Sequence, residues 1–287
     1  MLGQEKEIIV IDSQRLNMIQ NCAYKYDLTF NQDVAPINKA DPLEQGSLIH
    51  DMLETYYKTR KYKSRWALNG FVDKKQIIKI CERVAENTAA TQQLSIEDVD
   101  DTFRVFKEYV EFYWDEPHET LAVEQVGSKI MYEDNELIII YETKIDWIWS
   151  LPNIPLMPTD HKSSARRGTV HDLSNQFIGY CWMLNVRNLM VNKIGFQTTV
   201  APKDKFQRHM KSYPLPMIEG WVQNSVWWVK EIRRRERTNI WPNNYTSCDK
   251  YSGCIYTPIC VASPEVRDFK KRQLFQIGPK WDVGGKL

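Results

Sequence analysis

The stretch from Leu121 to Ser163 constrains this chain most, because it reads as consecutive strands and little else. It runs LAVEQVGSKIMY, turns at Glu133-Asp134-Asn135, continues as ELIIIYETKIDWIW, turns again at the proline-rich LPNIP and closes with LMPTDHKSS. β-Branched and aromatic residues between turn signals mark half-buried strands. Tight connections join antiparallel neighbours, so the block predicts a meander of roughly three strands.

The flanking segments carry the helical period instead. Ser13 reads as the N-cap of a first helix bearing Leu16, Ile19 and the neighbouring Cys22. A second helix is expected from about Leu43 through Tyr57, with His50 in its middle. Val72 to Trp114 reads as helical, with Val99, Phe103, Phe106 and Val110 on one face. Beyond the strands, a helix is expected from about Asp172 to Leu189, a strand over VNKIGFQTTV and a helix from Pro216 to Arg237. The tail after Pro264 is basic, and its end, IGPKWDVGGKL, reads as loose. The class is therefore α/β, and 287 residues suffice for one large core, or one core plus a helical subdomain.

Composition excludes some classes. The longest apolar runs, such as Leu137 to Tyr141, are too short to span a bilayer, so no membrane partner is expected. The N-terminus lacks the apolar stretch of a secretion signal, which points to the cytoplasm, or a host's cytoplasm if the chain is phage-encoded. In that reducing setting the 6 cysteines suggest metal ligands or buried thiols rather than disulfides. Net charge is +1, yet from His161 onward 21 Lys and Arg face 9 Asp and Glu. That basic half favours a polyanion, though only modestly.

Asp146 and Asp160 lie on adjoining strands across one turn, where two carboxylates can reach the same sheet edge. Hard divalent cations such as Mg2+ or Mn2+ take oxygen ligands of this kind, and they activate water against phosphodiesters. Lys162, two residues beyond Asp160, shares its face, whereas His161 points the other way. Alone, an Asp-x-Lys triplet is better explained by a solvated surface pair. Around it stand His50 in GSLIH, Asp146 in KIDWI, and Gln176 and Tyr180 four apart in QFIGY.

Together with SQRLNMIQNC, these segments resemble the RecB-like branch of the PD-(D/E)XK nuclease superfamily, and in particular its CRISPR-associated iron–sulfur exonucleases and compact phage members. The resemblance implies a restriction-endonuclease-like core, a central mixed sheet flanked by helices. Residues 1–287 would form one nuclease domain, with a helical insertion over 51–120, the catalytic sheet core over 121–215 and a cluster-binding segment over 240–264 closing onto Cys22. It implies His50, Asp146 and Asp160 as metal ligands and Lys162 as catalytic base or stabiliser. Gln176 and Tyr180 would support the site and touch DNA; a core aromatic is the plain alternative for Tyr180. One departure is visible: Thr143 stands where the family commonly has a glycine three residues before the first Asp.

Cys248, Cys254 and Cys260 are separated by five residues each, unlike the paired knuckles of zinc ribbons. The same resemblance implies that they bind a 4Fe–4S cluster with Cys22 as fourth ligand, although zinc on the same four thiols is an alternative. Cys81 and Cys181 fall inside helical patterns and read as core. Arg166, Arg167, Arg233, Arg234, Arg235, Arg237 and Lys250 could contact phosphate or simply cap helix ends. Trp147, Trp149, Trp227 and Trp228 could stack on unpaired bases, though core packing accounts for them as well. The function expected is a metal-dependent DNA nuclease, an exonuclease on single strands or duplex ends in recombination, repair or phage DNA processing. The alternative is a catalytically inactive DNA-binding subunit descended from such an enzyme. The sequence contains no helicase motif, so unwinding would fall to a helicase or recombination partner, and the oligomeric state is left open.

Overall fold

The computed structural model describes residues 5–37, 42–66, 73–92, 94–164, 173–249, 253–278 and 280. In chain order come β1 (Glu7–Ile11), α1 (Ser13–Asn21), α2 (Ala23–Tyr26), a π-turn (Asp27–Asn31), β2 (Val34–Pro36), α3 (Pro42–Trp66), α4 (Lys74–Gln92) and α5 (Ile96–Tyr113). Next are β3 (Glu119–Glu133), β4 (Leu137–Leu151), β5 (Ile154–Ser164), α6 (Asn175–Leu184), β6 (Asn188–Gly195), α7 (Pro202–Lys205) and β7 (Phe206–Ser212). The chain ends with α8 (Leu215–Thr238), a 3-10 turn (Tyr245–Ser247), α9 (Thr257–Cys260), α10 (Pro264–Leu274) and β8 (Phe275–Ile277). Two compact units result, one from Ala40–Gln125 and Lys144–Tyr213, the other from Met1–Lys39, Val126–Thr143 and Pro214–Leu287.

The first unit is a mixed sheet flanked by helices. Its strands run β4-β5-β6-β7, and β3 pairs with β4. The β4/β5 and β6/β7 pairs are antiparallel, while β5 and β6 are parallel and joined through α6. Helices α3, α4 and α5 share one core with the sheet, in which Leu53, Tyr57, Phe106, Val110, Trp147 and Ile194 are buried. Each large apolar side chain so enclosed contributes about 1.5–3 kcal/mol relative to leaving it in water. Phe106 and Val110 of the α5 stripe are inside, and Val99 and Phe103 pack at its margin. Gly46 sets the spacing of α3 against β5: a Cβ there would lie 3.2 Å from Ser163 Oγ.

In the second unit β1 runs parallel to the start of β4, pairing Glu7 with Leu137 through Ile11 with Tyr141. Helix α8 covers Tyr141 with Trp221, ring to ring at 5.2 Å. A small separate core of Leu28, Val34, Tyr256, Ile259 and Phe275 lies under the β2/β8 pair.

Several boundaries differ from the sequence expectation, each for a local reason. Asp12 rather than Ser13 caps α1, accepting the Arg15 N–H at 2.7 Å. The helical stretch expected from Val72 to Trp114 divides into α4 and α5, because Ser95 starts α5 as an N-cap accepting from Asp98 N; Val72 itself lies outside the described residues. Helix α6 stops at Leu184, where Asn185 turns left-handed (φ 54°), and Leu189 belongs to β6. That strand ends at Gly195 rather than Val200. The tail after Pro264 is ordered first as α10 and then as β8, which pairs antiparallel with β2. Of its last residues, 279 and 281–287 fall outside the described set, as do Asp172, Arg166, Arg167 and Lys250. Among the described residues no helix is long and apolar enough to cross a membrane.

Candidate metal centre

The β4/β5 register accounts for the spacing of the two aspartates. Trp147 pairs with Thr159 and Ile148 with Pro158. One further step sets Asp146 opposite Asp160, and directly opposed residues of an antiparallel pair share a face. Both are buried, at 8% and 1% exposure. Burial first, and the neighbouring Asp160 charge second, push the Asp146 carboxyl well above the ordinary carboxylate range. The His161 N–H donates to Asp146 Oδ2 at 2.8 Å and holds that side chain in place.

His50 arrives from α3, its Nδ1 3.7 Å from Asp146 Oδ2. Burial lowers its pKa against the opposing pull of Asp160, so the ring is neutral near pH 7 and a competent ligand. Glu124, which the sequence analysis did not single out, completes the grouping. One ligand atom each from His50, Glu124 and Asp146 all lie within 4.8 Å of one another. Within β3, Glu124 has a left-handed backbone (φ 50°), a conformation uncommon for a non-glycine residue and enriched where structure serves a site. Its carboxylate also pairs with Lys144 Nζ at 2.7 Å.

Lys162 Nζ stands 3.1 Å from Asp160 Oδ1 and 3.1 Å from Gln176 Oε1. Although burial opposes its charge, Asp160 outweighs that and raises the Lys162 pKa, keeping the group an ammonium. Gln176 Nε2 donates to Tyr180 OH at 2.8 Å, and Tyr180 OH donates to the Lys144 carbonyl at 2.7 Å. Tyr180 is fully buried, with its hydroxyl bonded on both sides. It is a core aromatic and a brace together. His161 does face away: it stacks on Tyr57 at 5.7 Å, and its Nδ1 lies 2.8 Å from Asn192 Nδ2.

This donor set fits a hard divalent cation. Asp160 Oδ2 is a buried oxygen without a hydrogen bond, although Lys162 Nζ lies 2.8 Å away. An imidazole and several carboxylates on one face are suitable ligands for Mg2+ or Mn2+.

The second unit holds the other cysteine group. Cys22 ends α1, Cys248 follows the 3-10 turn, Cys254 precedes α9 and Cys260 closes it. All four line one cavity of about 440 Å³. Burial and the neighbouring thiols raise the Cys248 and Cys260 pKa values, the latter to about 11. Among the described residues no three of these sulfurs come within 4.8 Å of one another. Cys81 and Cys181 are buried apart from this group, each thiol pushed up to about 12 by burial.

The sequence model of the PD-(D/E)XK nuclease superfamily matches residues 13–261. The chain belongs to that superfamily. Comparison with curated proteins gives no match. Among solved structures, the crystal structure of SSO0001 is similar at 11% identity and a TM-score of 0.36, covering 78% of this chain and 97% of that one. Superfamily membership makes the carboxylate–lysine group of the first unit a candidate centre for phosphodiester hydrolysis.

Other residues singled out in the sequence separate cleanly. Trp147 and Trp149 are core, whereas Trp227 is 58% exposed. Arg233 is paired with Glu7 and Glu136, and Arg234 and Arg235 with Glu231, so these arginines stabilise their own unit.

Proposed function

We propose that this superfamily member is a divalent-metal-dependent deoxyribonuclease of the RecB-like, iron–sulfur branch, an exonuclease on single strands or duplex ends in recombination, repair or phage DNA processing. The observation that carries the reading is the convergence of His50, Glu124 and Asp146 within 4.8 Å, beside the Asp160–Lys162 pair. His50, Asp146 and Asp160 serve as ligands, with Glu124 added to them. A bound divalent ion lowers the pKa of water and neutralises charge growing on the phosphate. Lys162, charged and 45% exposed, acts as a donor to that growing charge rather than as a base. Gln176 and Tyr180 are positioning residues that hold Lys162 and the β4 backbone in register.

Cys22, Cys248, Cys254 and Cys260 are proposed to hold a 4Fe–4S cluster. A zinc–thiolate tetrahedron has sulfur–sulfur edges of about 3.8 Å, given Zn–S bonds of about 2.3 Å. The four thiols line one cavity, and the protein's visible absorption or zinc content decides between that tetrahedron and a cubane.

The test is cleavage of single- and double-stranded DNA labelled at either end, with Mg2+ and Mn2+ in turn. Metal-dependent release of label from ends, lost in Asp160→Ala, supports the reading. Persistent cutting by that variant would place the chemistry elsewhere. Protein purified anaerobically should be brown, and a colourless, zinc-bearing protein would overturn the cluster.

A further inference from the structure

We infer that Lys144 is a built-in counter-cation that limits the nuclease centre to a single divalent ion. This rests on reading the centre as a metal site, and the test below separates the two. Lys144 lies two residues before Asp146, so the pleat of β4 sends both side chains to the same face. Its Nζ sits 2.7 Å from Glu124 Oε2, and the Lys144 side chain as a whole is 27% exposed. Asp146 and Glu54 stand close enough to act on it as well. The lysine backbone is equally engaged, its carbonyl accepting the Tyr180 hydroxyl at 2.7 Å.

Charge bookkeeping gives this arrangement a consequence. Asp146, Asp160 and Glu124 bring three carboxylates and Lys144 and Lys162 two ammoniums, while the nearby Glu54 is offset by its own partner Lys58. One divalent ion more than offsets the remaining negative charge, whereas a second would leave a large positive excess among enclosed groups. Two-ion phosphodiesterases hold their cations about 3.5–4 Å apart on shared carboxylates. In this protein the Glu124 carboxylate, which could bridge toward a second ion, already carries an ammonium. Replacing Lys144 with a neutral side chain removes one positive charge and frees that oxygen.

The experiment counts Mn2+ on the full chain by electron paramagnetic resonance, without DNA. Wild type should take up one tight ion, and Asp146→Asn should lose it. Lys144→Met should bind the first ion about tenfold more tightly and take up a second, by the usual conversion of a lost unit charge nearby. Lys144→Arg should behave as wild type, and Lys144→Met with Glu124→Gln should return to one ion. Should Lys144→Met fail to fold, Lys144→Gln carries the same expectation with a neutral hydrogen-bonding end retained. Two ions on wild type, or one on Lys144→Met and Lys144→Gln at unchanged affinity, overturn the inference. Uptake unaffected by Asp146→Asn overturns the metal reading itself.

Discussion

The two groups of candidate metal-ligating side chains are built in opposite ways. Asp146 and Asp160 sit on paired strands, opposite one another, with the His161 N–H fixing one carboxylate at 2.8 Å. A backbone ladder holds them whether or not an ion is bound. The four cysteines lie instead at helix ends and turns around a cavity of about 440 Å³. Side-chain bonds and a small core join those segments rather than a strand ladder between the ligand positions: Asn244 Nδ2 and Ser247 Oγ both donate to the Asn21 carbonyl, at 2.7 and 2.9 Å, Tyr256 OH donates to the Val34 carbonyl, and Leu28, Val34, Tyr256, Ile259 and Phe275 pack together. Preorganised ligands bind without rearrangement, whereas ligands on loops depend on their metal for order. The strand-borne centre should therefore keep its shape when stripped, and the cysteine cavity should not.

The largest effects should fall on the strands. Asp146→Ala or Asp160→Ala should slow single-turnover cutting by on the order of 10³-fold while leaving visible absorption intact. A parallel loss of colour would show the two groups to be dependent on each other. Lys162→Ala should cost about 10²-fold in the same assay, with Mn2+ affinity nearly unchanged, since the lysine stabilises charge without ligating.

Cys254→Ser works from the other side. Iron content should collapse and the melting temperature fall by on the order of 5–10 °C, while Mn2+ uptake at the strand centre persists. Joint loss of Mn2+ binding would end the contrast drawn between the two regions.

Acidity sharpens it further. The Asp146 pKa is raised in the metal-free fold, so its proton contributes stability at low pH that is lost as pH rises through the folded value. Metal must displace that proton, so the stabilisation conferred by Mn2+ should grow with pH above the ordinary carboxylate range of about 4. Thermal shifts measured at fixed Mn2+ across pH would show the slope, and a flat profile would argue against Asp146 as ligand. The smallest effect belongs to Tyr180→Phe. Losing the hydroxyl's bond to the Lys144 carbonyl should cost about 1 kcal/mol by chemical denaturation, and only a few-fold in rate.

Legibility in the sequence followed the same division. The strand block was plain because period-two alternation and turn residues agree along LAVEQVGSKIMY and ELIIIYETKIDWIW, and β3, β4 and β5 lie there. Once those strands pair, Asp146, Asp160 and Lys162 must share a face. Glu124 had no such signal: a lone acidic residue in a strand, brought inward by a left-handed turn that no neighbouring glycine announces. Strand β1 was missed because EIIVI is short and buries little until it lies beside β4. Helix α10 has no buried residue at all, so it lacks the apolar stripe on which a helical reading depends. Nor does the order of segments reveal that β3 and β4 each contribute to both compact units.

The most direct measurement is an anomalous-scattering map from crystals soaked in Mn2+. A peak within about 2.1 Å of a His50 ring nitrogen and an Asp146 carboxylate oxygen, beside Asp160, is the predicted result. A protein that cuts DNA with Mn2+ yet shows its only peak away from those side chains would contradict the account.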